Sequence, residues 1–329
     1  MTEIIAEIGS VHDGSFGNAL ALIDLAGEVG ADAVKFQTHI AEAETTRDAP
    51  NPPYFKEETR YDYFERTAFS EKQWLQLRNH ARSCGLKFGS SPFSVEAIDV
   101  LEDIGVDFLK IASGEVTNTL LLERCAASGL KVIMSSGMSD WRELDQAVGI
   151  LSAGRGALVL MQCSSSYPCP PESVGLNVIN EMRARWNLPV GFSDHTEGVA
   201  AAIAAATLGA KVIEKHLTFS RKMYGSDASL ASEPDMFMAM VEAVRTVDVI
   251  MGHPVNKDDL TPYSTMKKTF EKSIVARVPI AEGVQIDLSM IALKKPGTGL
   301  KSDMLDAVLG RRLRKDIEPD HIFMETDFI

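Results

Sequence analysis

Two histidines carry the most pointed chemistry in this sequence. His195 stands in GFSDHTEG and His216 in EKHLTFSRKMYGSD, each just beyond an apolar run of strand length, with Ser193 and Asp227 nearby. Imidazole is a common ligand of divalent transition ions. Two imidazoles from consecutive strands could meet at one ion whose other positions are filled by water, a carboxylate or substrate oxygens. A single histidine is more often packed or solvated, and it is the paired placement that favours ligation.

Other polar residues recur at the ends of strand-like runs. Ser91, Ser113, Ser135, Ser165 and Ser193, with Lys35 and Lys110, supply hydrogen-bond donors and two positive charges, a set suited to phosphate or carboxylate. Any one of these serines could simply make a turn or cap a helix, but their recurrence at five strand ends reads better as an anion cradle. Glu7, Glu115 and Asp227 are the acids placed for proton transfer or for sugar hydroxyls. Glu42, Glu44, Asp48 and Glu57 read as solvated loop charges.

Groups scattered this widely along a chain need a scaffold that gathers them. Short runs rich in Val, Ile and Phe alternate with Ala-rich or amphipathic segments, the pattern of a parallel sheet built from strand-helix units. Strands are expected at Glu3–Ile8, Ala33–Gln37, Leu86–Ser91, Phe108–Ser113, Lys131–Ser136, Leu158–Cys163, Val190–Asp194 and Val212–Lys215. Eight such units predict an α/β fold, a (β/α)8 TIM barrel with its site at the carboxyl ends of the strands. The stretch Thr38–Phe69, polar and aromatic with three prolines and no clear period, reads either as a covering over that site or as a packed excursion. The barrel is expected over residues 1–255, a polar linker over 256–272 and a small β-rich domain over 273–329, which would be only marginally stable alone.

Composition narrows the partners. A hydrophobic share of 45% supports a large core, and a net charge of −13 argues against nucleic acid or an anionic membrane as partner. The amino terminus MTEIIAEIGS lacks a basic segment, and no apolar run reaches spanning length, so a cytoplasmic location is expected. Cys84, Cys125, Cys163 and Cys169 have no paired zinc-site spacing and read as reduced packing residues.

Taken in order, IIAEIGSVHDG, VKFQTHI, SSPFS, KIASGE, SSGM, YPCPP, GFSDHT and EKHLT resemble the sialic acid synthase (N-acetylneuraminate synthase) family over essentially the whole chain. LKKPGTGL with VLGRR resembles that family's antifreeze-like (SAF) domain. The resemblance implies condensation of phosphoenolpyruvate with an N-acetylated aldose such as N-acetylmannosamine, giving a nonulosonic acid and phosphate. A legionaminic or pseudaminic acid synthase acting on a di-N-acetylated 6-deoxyhexose is the alternative within the family, and a metal-dependent pyruvate aldolase the alternative outside it.

By the same resemblance His195 and His216 would hold a divalent metal, Mn2+ first, with Mg2+ or Co2+ as alternatives. Lys35, Ser91, Lys110, Ser113, Ser135, Ser165 and Ser193 would contact phosphoenolpyruvate. Glu7, Glu115 and Asp227 would act at the reacting centre, while Gln37, Tyr167, Asp227 and Lys295 would address the sugar. Ser165 stands where relatives carry Asn, Lys295 where they carry Arg, and Ala228 where many place His. A domain-swapped homodimer is also implied, with no nucleic-acid or membrane partner.

Overall fold

A computed structural model describes residues 1–51, 58–225 and 227–329 of the chain. Eight parallel strands close into a barrel: β1 Glu3–Gly9, β2 Ala33–Thr38, β3 Lys87–Pro92, β4 Phe108–Ile111, β5 Lys131–Ser135, β6 Leu158–Cys163, β7 Val190–Asp194 and β8 Val212–His216. Closure is made by β1 pairing with β8, from Glu3 opposite Val212 to Glu7 opposite His216. Outside run α1 Phe16–Glu28, α2 Ala41–Glu44, α3 Arg60–Thr67, α4 Glu71–Ser83, α5 Val95–Ile104, α6 Thr119–Ser128, α7 Trp141–Ser152, α8 Asn177–Trp186, α9 Ala200–Thr207 and α10 Pro234–Gly252.

Local signals explain where the helices begin and end. Ser94 caps α5 through the Ala97 amide, Ser70 with Gln73 and Asp140 with Glu143 form reciprocal capping boxes, and α5 and α6 stop at left-handed Gly105 and Gly129. One expected strand is shorter than its sequence suggests. β4 stops at Ile111, and Ser113–Glu115 form a single 3-10 turn, so Ser113 is presented by a turn.

Side chains alternate across each strand, and one face of every strand looks into the barrel. Ile5, Ala33, Phe108, Ile133, Val159, Met161 and Val212 form an apolar cluster of their own there, separate from the larger core between strands and helices. Below it, toward the amino ends of the strands, Glu3 pairs with Lys87 at 2.7 Å and Lys131 at 2.5 Å. The apolar layer thus seals the barrel, and what projects inward above it forms a floor.

The Thr38–Phe69 stretch, which shows no clear period in the sequence, contains α2 and α3, where Ala41, Tyr61, Tyr63 and Phe64 pack as a small cluster. Residues 52–57, including Glu57, lie outside the described residues. The chain divides into compact units Met1–His253 and Pro254–Ile329. The second holds α11 Ser264–Phe270, which occupies the expected linker, an antiparallel pair β9 Ser273–Ala276 and β10 Ile291–Lys294, and α12 Leu305–Val308. Its own core includes Ile274, Ile286, Leu313, Phe323 and Phe328.

Gly89 faces Phe108 across the β3–β4 pairing, and a Cβ there would lie 2.2 Å from the Phe108 ring. Gly89→Ala should therefore destabilise the barrel by about 1–3 kcal/mol through overpacking. The check is the urea midpoint, expected to fall at unchanged slope; a wild-type midpoint would contradict this packing.

Candidate active site

Moving up each strand from the apolar layer, the next inward side chains are Glu7, Lys35, Ser91, Lys110, Ser135, Cys163, Ser193 and Glu214. All of them line one cavity of about 70 Å3, together with Gln37, Ser113, Tyr167, His195 and His216. The strands thus bring together residues that are up to 209 positions apart in sequence, Glu7 and His216 (216 − 7 = 209).

Its floor is a cluster of four buried charges. Lys35 Nζ lies 2.7 Å from Glu7 Oε2, donates to Ser91 Oγ at 3.1 Å and sits 4.0 Å from Glu214 Oε1. Lys110 Nζ donates to the same Glu214 oxygen at 3.1 Å, and Ser193 Oγ donates to it at 3.2 Å. Glu214 Oε2 is buried with no hydrogen-bond partner. Burial pushes Glu7 up to about 7, with Lys35 opposing and Glu214 adding to the rise. Burial acts on Glu214 in the same sense, but Lys110 and Lys35 more than offset it and hold this carboxyl at about 2. The two carboxyls titrate as a coupled pair, and the first proton goes to Glu7.

Above this floor stand the two histidines, their ring centroids 5.9 Å apart. His195 Nδ1 lies 2.7 Å from the Ser164 carbonyl, which makes that nitrogen the donor and leaves Nε2 able to accept, near Tyr167 Oη at 3.2 Å and Ser193 Oγ at 3.4 Å. His216 Nδ1 is buried without a partner. Burial lowers the pKa of this ring, against the pull of Asp227, so it is held neutral. A ligating histidine commonly hands one N–H to a carbonyl and offers the other nitrogen to the ion, which is the arrangement of His195. The pair therefore fits a divalent metal.

A second cavity of about 370 Å3 adjoins the first, sharing Gln37, Tyr167 and His216 with it and adding Arg60, Tyr63 and Phe64 from α3 and Asp227. The Thr38–Phe69 stretch thus contributes to the wall. Gln37 Nε2 donates to Glu7 Oε1 at 3.1 Å, while Gln37 Oε1 meets His39 Nε2 at 3.2 Å. His39 is stacked between Phe64 and Phe93 with centroids 3.8 and 4.3 Å away, and its Nδ1 contacts Glu44 at 2.9 Å. Asp227 Oδ2 accepts from the Ser10 amide at 2.9 Å. At Gly9, with φ +50°, a Cβ would lie 2.4 Å from Asp227 Oδ2 and 3.3 Å from Glu7 Oε1, so only glycine lets these acids approach one another.

Not every residue picked from the sequence joins this group. Glu115 lines neither cavity; its carboxylate accepts from Asn118 Nδ2 at 2.8 Å, and burial raises its pKa. Ser165 borders only the outer cavity. Lys295 belongs to the second unit, its Nζ 5.3 Å from the Phe270 ring centroid.

Four residues went unselected in the sequence. Glu214 had a readable signal, since it precedes His216 by two and therefore shares its face of β8. Cys163, the last residue of β6, faces inward with Met161 by the same rule, and Ser113 Oγ lies 3.5 Å from its Sγ. Glu44 had been read as a solvated charge, yet it holds buried His39, with both side chains only 7% exposed. Arg60, whose Nε is buried without a partner, carried no signal because the fold of its stretch was not legible.

Comparison with known proteins agrees with this geometry. The NeuB family profile matches residues 22–256 and the SAF domain profile residues 271–329. The N,N'-diacetyllegionaminic acid synthase of Campylobacter jejuni is 32% identical, over 98% of this chain and 99% of its own. Human N-acetylneuraminate-9-phosphate synthase is 33% identical, over 98% of this chain and 91% of its own. The crystal structure of N-acetylneuraminic acid (sialic acid) synthetase from Leptospira borgpetersenii superposes with a TM-score of 0.72 at 31% identity, covering 81% of this chain and 90% of that one. With a family profile over residues 22–256, a matching second domain and relatives aligned over nearly the whole chain, this chain belongs to the NeuB family.

Proposed function

We propose that the chain condenses phosphoenolpyruvate with an N-acetylated aldose, giving a nonulosonic acid and inorganic phosphate. The observation that carries this reading is the juxtaposition, in one small cavity, of a Lys–Ser anion cradle, two carboxyls of opposite protonation tendency and two imidazoles with uncommitted nitrogens. Lys35, Lys110, Ser91, Ser113, Ser135 and Ser193 bind the phosphate and carboxylate of phosphoenolpyruvate, with Ser165 at the rim. Ion pairing to Glu7 and Glu214 holds both lysines in place before substrate arrives.

The acceptor occupies the outer cavity, where Gln37, Tyr167 and Asp227 meet its hydroxyls, and Phe64, Phe93 and Met138 offer apolar surface for acyl groups. Carbon 3 of phosphoenolpyruvate bonds to the aldehyde carbon, and Glu7, which retains a proton near neutrality, gives it to the aldehyde oxygen. Positive charge develops at carbon 2, stabilised by Glu214 and by the carboxylate that Glu7 has become. Water adds at carbon 2, Glu7 takes back a proton, and the tetrahedral intermediate expels phosphate as the keto group forms. His195 and His216 would hold the divalent ion, Mn2+ first with Mg2+ or Co2+ as alternatives, which when bound supplies a Lewis acid for the aldehyde. Glu115, half-buried beside this wall, would act on the reacting centre through its electrostatic field.

Lys295 and homodimer formation belong to the same proposal, supported by the exposed apolar side chains Leu260, Met266 and Phe270 in the second unit. So does a barrel domain over 1–255 with an SAF domain over 273–329. The cytoplasm, where phosphoenolpyruvate is made, is the proposed location; no helix among the described residues is long and apolar enough to cross a membrane.

Lys110→Ala should raise KM for phosphoenolpyruvate by about 10- to 100-fold, the worth of a charge-assisted hydrogen bond, while KM for the acceptor stays near wild type. Steady-state kinetics in both substrates reads this, and an unchanged KM for phosphoenolpyruvate would favour a pyruvate aldolase.

Glu7→Gln should abolish most turnover yet stabilise the fold above neutrality. Because the folded pKa of Glu7 is raised, its proton favours the folded state: the contribution is full below the unfolded value near 4.5 and is lost as pH rises through about 7. The urea midpoint of Glu7→Gln should therefore exceed that of wild type by a gap that opens above pH 4.5 and stops widening above pH 7. A variant less stable than wild type at pH 8 would contradict the assigned ionisation.

A further inference from the structure

On the outside of the barrel, α1 and α4 pack against each other near the amino ends of the strands, away from the cavity just described. Gly27 of α1 lies against Cys84, where a Cβ built on it would make an ordinary 3.8 Å contact with Cys84 Cβ. His80 lies in the last turn of α4 and Cys84 is its C-cap, the Cys84 amide donating to the His80 carbonyl at 3.1 Å, so the two side chains lie one turn apart. Facing them is Asp24 of α1. His80 Nε2 lies 2.6 Å from Asp24 Oδ1, Cys84 Sγ lies 3.5 Å from the same oxygen, and Sγ and Nε2 are 4.0 Å apart.

We propose that Asp24, His80 and Cys84 form a second divalent-cation site, for a borderline-soft ion of the Zn2+ type. The three donors are an oxygen, a nitrogen and a sulfur, each a usual ligand of that ion. A tetrahedral ion with bonds of roughly 2.0–2.3 Å spaces its ligand atoms about 3.4–3.6 Å apart. The three observed separations depart from that spacing by less than about 1 Å, an adjustment that side-chain rotation supplies. On their own the three groups make a His80–Asp24 ion pair and a weak S–H hydrogen bond that Cys84 donates to the same Asp24 oxygen. A dication offsets both the carboxylate and the thiolate, with the thiol proton released to solvent. Asp24 is exposed and its two partners half-buried, so the ion has a path in and water completes its shell. The bound ion ties α1 to α4 and takes no part in the condensation.

Co2+ titration of the full chain tests this. A thiolate-to-cobalt absorption band should appear in the near ultraviolet with wild type and equally with a His195→Ala/His216→Ala variant. Cys84→Ser should abolish the band and one equivalent of bound ion in both backgrounds, while keeping the wild-type circular dichroism spectrum and, with both histidines present, condensation activity. Zn2+ should also raise Tm of wild type more than that of Asp24→Asn. The proposal is overturned if wild type shows no thiolate band, or if the band survives Cys84→Ser.

Discussion

Glu7, Lys35, Lys110 and Glu214 meet at the centre of the barrel with almost none of their surface in water. Charges so placed are tolerable only when each has its partner. Removing a lysine from this cluster costs about 3–5 kcal/mol because the ionised Glu214 is left undercompensated. The cluster is therefore a structural constraint as much as a chemical device. It needs four strands in register, β1, β2, β4 and β8, and a layer below that admits no water, which Ile5, Phe108, Ile133 and Val212 supply. The same arrangement drives Glu7 and Glu214 apart in acidity, so one carboxyl keeps a proton near neutrality while its neighbour stays ionised. In the proposed reaction this division makes one carboxyl the general acid and the other a standing negative charge, although the functional groups are identical.

Above the cluster the site changes character by steps. Polar hydroxyls come first, then the two imidazoles, then the aromatic wall from α3 and Phe93. Small ionic groups fit the floor, and a larger ligand with apolar substituents fits the outer cavity. The two are joined through Gln37, which touches Glu7 on one side and His39 on the other. The orientation of a residue in the outer wall is thereby coupled to that of the proton-bearing carboxyl.

Much of this was legible in the sequence because a barrel strand writes its inward face as every second residue. Lys35, Lys110, Ser193 and His216 were readable as strand-end groups, and the eight strands themselves were marked by apolar runs. Glu214 was equally readable once β8 was set in register, since only Lys215 separates it from His216. The α3 wall was not. α2 is four residues long and α3 eight, too short for a helical period to stand out, and their aromatics pack on each other in a cluster separate from the main core. Arg60 and His39 owe their positions to that packing, which no local pattern announces. Ser113 shows the opposite limit: its place at the site was legible, but the 3-10 turn that presents it reads like a continuing strand.

The central claim is that the cradle and the acids act on two substrates in one cavity, and release of inorganic phosphate from phosphoenolpyruvate reports it most directly. The measurement is phosphate release by the purified full chain with Mn2+, with and without each of a panel of N-acetylated aldoses, alongside the mass of the product. Phosphate should appear only when an acceptor is present, in equal amount to an acid three carbons longer than that acceptor, and chelation should stop it until the ion is restored. No phosphate with any acceptor, or product formed from pyruvate without phosphate release, would contradict the account.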